Sequence, residues 1–163
     1  MSNIIRPPLL WCVVGIVLAL INIFSQPTLF IRANGSIIAM GRGEIGEPIS
    51  IKFIHSVQKT PVLENLAVDK EGLILHSTVY QSFGVGLPFL ASEGNFYKEG
   101  SYYVLDNMER HFKSLTLRVG VGTKLTLYLG GRSYPLYEKY PAGTPIDIYV
   151  KPLLKGMLGY ERT

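Results

Sequence analysis

Between Ile49 and Val57 the apolar residues Ile49, Ile51, Phe53 and Val57 fall on one parity and Ser50, Lys52 and Ser56 on the other, as in a strand with one covered face. His55 shares the apolar parity and is predicted to point inward. After a polar turn around Gln58 to Pro61 the alternation resumes with Val62, Glu64, Leu66 and Val68, which predicts an inward Glu64 as well. Pairing Val57 with Val62 sets His55 directly across from Glu64, where cross-strand Cβ atoms lie ~5 Å apart. Asp69-Lys70-Glu71-Gly72 has turn chemistry, and Leu73, Leu75, Ser77, Val79 and Gln81 follow at period two. Pairing Val68 with Leu73 brings Ser77 beside Glu64. The expectation is a meander whose covered face carries His55, Glu64 and Ser77, with the imidazole and the carboxylate satisfying one another.

The remainder of the chain extends this pattern. Leu9 to Phe24 is an uncharged apolar run of sixteen residues. As a helix it covers about 24 Å against a bilayer core of about 30 Å, so flanking residues must complete a span. An uncleaved signal anchor is preferred over a cleaved signal, because cutting after Ser25 leaves Ile23 at the −3 position; a buried soluble helix is a third reading. Arg6 before the run favours an inside N-terminus, although Arg32 soon after it weakens that argument. Asn34-Gly35 between TLFIRA and SIIAM predicts a two-residue hairpin, which also explains the Asn34-Gly35-Ser36 acceptor pattern without a sugar. Ala91 to Tyr103 reads as irregular and exposed, placed as a lid would be, and Leu105 to Phe112 as a weak helix or turn, with His111 on the surface. Ser114 to Val119 is predicted to turn at Gly120-Val121-Gly122 and return through Leu125, Leu127 and Leu129. Gly130-Gly131 closes another hairpin into Arg132 to Tyr137, and Ile146 to Val150 gives a last strand. The tail, Lys151 to Thr163, has too little pattern to place.

About nine or ten short strands predict an all-β fold, an antiparallel β-sandwich or partly open barrel, preceded by one N-terminal transmembrane helix. The division is residues 1–26 as anchor and 27–163 as an extracytoplasmic β-domain, attached to the cytoplasmic membrane by a single pass through residues 9–24.

Composition narrows the chemistry. The net charge of +4 comes from basic residues scattered singly among twelve acids, which argues against nucleic acid. Cys12, in the apolar run, is the only cysteine, so the β-domain can make neither an internal disulfide nor a thiolate metal site. Gly41-Arg42-Gly43-Glu44-Ile45-Gly46 has dinucleotide-loop spacing, but Pro48 and a strand follow where the pyrophosphate-binding helix is needed. Neither a metal nor a cofactor is expected: His55 and Glu64 make a poor zinc set, and His76 has the opposite parity. Gly84 and Gly86, in the loop that leaves the Ser77 strand, permit close backbone approach to an anion, or simply a sharp turn closed by Pro88.

Together, HSVQKTPVLE (His55 to Glu64) and SFGVGLP (Ser82 to Pro88) resemble the bacterial family called domain of unknown function 1850. The matched positions are His55, Ser56, Pro61, Glu64, Phe83, Gly84, Gly86, Leu87 and Pro88. The resemblance implies a small exported or membrane-anchored protein associated with TRAP transporters of the TAXI subfamily, with those transporters' membrane subunits as partners. On this reading the protein is not an enzyme but an accessory binding protein, whose His55, Ser56, Glu64, Ser77, Phe83, Gly84 and Gly86 form a site for a small organic anion or a transporter subunit. Two alternatives stand beside it: a purely structural His55–Glu64 pair, and a hydrolase using Ser77, His55 and Glu64. The second lacks the strained elbow and oxyanion donors of acyl transfer.

Overall fold

Asn34 and Gly35 both adopt left-handed backbone, with φ of 51° and 81°, the geometry that matches a two-residue turn to the twist of its flanking strands. They join β1 (Pro27–Ala33) to β2 (Ser36–Arg42) in the hairpin that Asn-Gly predicts. The computed structural model of the chain describes residues 7–83, 87 and 91–159. Helix α1 (Pro7–Ser25) precedes the hairpin. After it come β3 (Pro48–Ile54), β4 (Pro61–Asp69) and β5 (Gly72–Tyr80), a 3₁₀ turn at Ala91–Glu93, then β6 (Asn95–Glu99), β7 (Tyr102–Asp106) and β8 (Arg110–Phe112). β9 (Ser114–Arg118), β10 (Thr126–Leu129), β11 (Arg132–Pro135), the short α2 (Leu136–Lys139), β12 (Pro145–Pro152) and α3 (Leu153–Leu158) complete the described chain.

The strands form two antiparallel sheets. One has the order β2-β1-β12-β9; the other runs β11-β10-β3-β4-β5-β7-β6, with β8 pairing the part of β5 that β7 leaves open. The all-β class is therefore observed, with open sheets and twelve strands among the described residues in place of nine or ten. The additional strands lie in 91–112, read from the sequence as a lid and a weak helix. β6 is exposed along its whole length at the edge of its sheet, so burial imposes no alternation on it. The hairpin expected at Gly120–Gly122 is also corrected, since β9 pairs β12 in one sheet and β10 pairs β3 in the other, so this turn crosses between sheets.

The core fills the space between the sheets: Leu29, Ile31, Ile146 and Ile148 from the smaller meet Ile49, Ile51, Leu66, Leu73 and Leu127 from the larger. Each such side chain contributes about 1.5–3 kcal/mol on burial. α1 enters at one end of this sandwich, where Pro27 pairs with Pro152 and its carbonyl accepts the Gly43 N–H. β3 starts from that end and finishes at the other, where the Ile54 N–H donates to the Thr123 carbonyl. The tail forms α3, which covers the outer face of the smaller sheet. There Phe30 and Tyr149 stack at 5.4 Å and the Tyr149 hydroxyl donates to the Gly156 carbonyl. A Cβ at position 156 would strike the Phe30 ring, so only glycine lets α3 lie this close.

All sixteen residues of the apolar run Leu9 to Phe24 are exposed. No helix among the described residues is long and apolar enough to cross a membrane.

Candidate functional site at the far end of the sandwich

His55 is the first residue beyond β3 and is buried, as its parity predicts. Its N–H donates to the Thr60 carbonyl and its own carbonyl accepts the Lys59 N–H, both at 2.9 Å, closing the 55–60 loop. Its Nδ1 accepts the backbone N–H groups of Val57 (3.2 Å) and Gln58 (3.1 Å). An acceptor Nδ1 leaves the proton of the neutral ring on Nε2. The tautomer is thus set by two amides of the histidine's own turn, and not by Glu64.

This turn overturns the expected register. Ile54 pairs with Pro61, Phe53 with Val62 and Ile51 with Glu64, four residues along β3 from the predicted partner. His55 and Glu64 therefore share the inner face without facing each other, roughly 13 Å apart along the strands at ~3.3 Å per residue. The imidazole that bonds its own following amides ends the strand early, and Val57 is left 66% exposed instead of inward. On the other side of β4, Val68 pairs with Leu73 as predicted, but a bulge between Asn65 and Leu66 shifts everything beyond it. Glu64 then faces Thr78, and Ser77 turns to the outer face, where Asn65 Nδ2 donates to its Oγ at 3.0 Å and Ser50 Oγ donates to Asn65 Oδ1 at 2.9 Å. Ser77, His55 and Glu64 are not brought together. Ser56 is exposed in the 55–60 loop, and Gly84, Gly86 and Pro88 lie outside the described residues.

Glu64 stands in a cross-strand row, Ile51–Glu64–Thr78–Leu105–Phe96, that faces the core. Ile51, Thr78 and Leu105 are fully enclosed and Glu64 is half-buried. Burial pushes its carboxyl above the ordinary range, and the Arg110 guanidinium pulls it part of the way back. Among the described residues no hydrogen-bond donor is placed on this carboxyl. The next row outward is Phe53–Val62–Tyr80–Tyr103–Lys98. Phe83 lies against Tyr103 at 4.3 Å, Phe96 stacks on the same ring at 6.0 Å, and Lys98 Nζ sits 5.5 Å from its centroid. Burial pushes the Tyr80 phenol up, with Tyr103 adding to it. This aromatic wall, closed below by Val62 and Leu87, continues outward as an exposed, half-open ridge. A separate crevice of about 740 Å³ lined by Glu93, Asn95, Asn107, Met108 and Arg110 lies past the Phe96–Leu105 pair, on the side away from this wall, and Met108 Sδ accepts from the Thr78 hydroxyl.

The family profile described as Domain of unknown function (DUF1850) matches residues 49–136, more than half of the chain. The chain belongs to this family. No curated protein and no solved structure matches it. The DUF1850 segment begins in β3 and runs to the start of α2, so it contains His55, Glu64 and both rows, and leaves out α1, β1, β2, β12 and α3. Within it, sequence reasoning missed Thr78, because a bulge gives no pattern signal. It also missed the wall of Tyr80, Phe96 and Tyr103, whose only trace is a recurrence of aromatics around an unassigned loop. No group of three or more His, Cys, Asp or Glu side chains able to hold a metal ion occurs among the described residues.

Proposed function

We propose that this DUF1850 protein is a membrane-anchored extracytoplasmic binding module serving a TRAP-type transporter of the TAXI subfamily, with its recognition site at the end of the sandwich remote from α1. The observation that carries this reading is Glu64. A carboxyl on a core face with no donor among the described residues opposes folding, and groups perturbed in this way concentrate at binding sites. The ligand class that fits is a small organic anion. His55 at the β3 side and the Lys98 ammonium at the β6 side bound the aromatic wall, which takes an apolar body, with Glu64 one row further in. The reading takes α1, whose apolar run is exposed along its length, as the anchor in the cytoplasmic membrane, and Arg6 ahead of it as support for an inside N-terminus.

The test is to recover the full chain in mild detergent at native expression and identify what accompanies it. A transporter membrane subunit is expected, lost on Phe83→Ala or His55→Asn; its absence from the wild-type preparation would refute the association. For His55 alone the two amide bonds to Nδ1 favour a second, turn-holding role, and His55→Asn separates the two, since an Asn Oδ1 accepts the same amides but offers no Nε2–H.

A further inference from the structure

Helix α3 lies beside α1 and not merely near it. The Leu153 N–H donates to the Gln26 carbonyl, and an apolar cleft of about 500 Å³ is lined by Leu20, Ile21 and Phe24 on one side and by Pro152, Leu154 and Lys155 on the other. With Gly156 turned inward onto Phe30, α3 presents Leu154, Met157 and Leu158 outward, the last 80% exposed. Met40, paired with Phe30 across the sheet, is exposed on the same face. Cations border this apolar set. Arg42 and Lys151 flank Thr28 in one cross-strand row, two residues into β1, and Lys155 is exposed on α3 itself. Among the described residues, the acids Glu44, Glu47, Asp69 and Glu71 lie on the turn into the larger sheet and at its β4–β5 turn.

We propose that α3 is a second membrane contact, an interfacial helix for anionic phospholipid. Leu154, Met157 and Leu158 enter the acyl boundary beside the last turns of α1, while Arg42, Lys151 and Lys155 take headgroup phosphates. The inference rests on reading α1 as an anchor and removes its difficulty: a run that falls short of the hydrocarbon thickness is lengthened at its exit by a flanking apolar helix, with Lys155 reaching up to the headgroups.

The experiment uses the full chain in vesicles of phosphatidylcholine with or without phosphatidylglycerol. An environment-sensitive dye is placed on native Cys12 or, in a Cys12→Ser background, on Leu158→Cys or Val121→Cys. Val121 is exposed in the turn at the far end. Doxyl-lipid is expected to quench positions 12 and 158 several-fold more than aqueous iodide does, and position 121 the reverse. Phosphatidylglycerol is expected to strengthen the shielding at 158, an effect removed by Lys151→Glu with Lys155→Glu. Shielding at 12 with position 158 open to iodide would overturn the inference and spare the anchor. Position 12 open to iodide would overturn both. Shielding at 158 that follows protein concentration instead of lipid would assign the face to a second copy of the chain.

Discussion

Asp147 and Glu64 stand one in each sheet, and the fold treats them in opposite ways. Asp147, on the outer face of the four-stranded sheet, is buried but accepts the Thr116 hydroxyl at 2.8 Å and faces Arg32 across the β1–β12 pairing. Glu64, on the inner face of the eight-stranded sheet, has an enclosed threonine and isoleucine as cross-strand neighbours and only the more distant field of Arg110. A buried carboxylate with partners can contribute to the fold, whereas desolvation without them works against it.

The contrast can be broken by mutation, most forcefully at Asp147. Asp147→Ala leaves the Thr116 hydroxyl without its acceptor and is expected to cost ~2 kcal/mol, read as a Tm lower by roughly 4–8 °C. An unchanged Tm would place both acids in the same class. Next comes His55→Ala, which frees two amides in the 55–60 loop and is expected to cost about 1–2 kcal/mol, whereas His55→Asn restores most of it; chemical denaturation of both variants is the measurement. Glu64→Gln has the opposite sign. Because the folded carboxyl holds its proton more tightly than the unfolded one, wild-type stability is full at low pH and declines as pH rises through the raised folded value. The glutamine variant escapes that decline, so at neutral pH it is expected to gain about 1 kcal/mol, or ~2–4 °C, and to lose the gain toward about pH 4. A destabilised variant in a melting series across pH would show that the charge of Glu64 is paired after all. The smallest effect belongs to the Asp69–His111 contact, 2.8 Å long with its histidine exposed. His111→Ala is expected to leave the melting curve where it was, as for most surface pairs.

The inward parity of His55 and Glu64, the Asn34-Gly35 turn, the Gly130-Gly131 turn and the last strand were all readable, because each rests on local alternation or on a turn that only certain residues make. Register was not. It depended on an imidazole folding back onto its own amides and on a bulge at Asn65, and both leave the hydrophobic pattern intact while moving every neighbour. β6 was unreadable for a different reason: an edge strand exposed on both faces has no period to show. α3 was missed because six residues around an obligatory glycine read as an unpatterned tail.

The opposed placement of the proposed anchor and the proposed recognition site has a mechanical consequence. β3 alone spans about 23 Å from the α1 end to His55. Cargo held there would ride well clear of the lipid, out of reach of any channel mouth flush with the bilayer. Whatever receives it must either project into the solvent by a comparable height or itself be a soluble carrier, and a lever of that length is steady only if its base is gripped at more than one point.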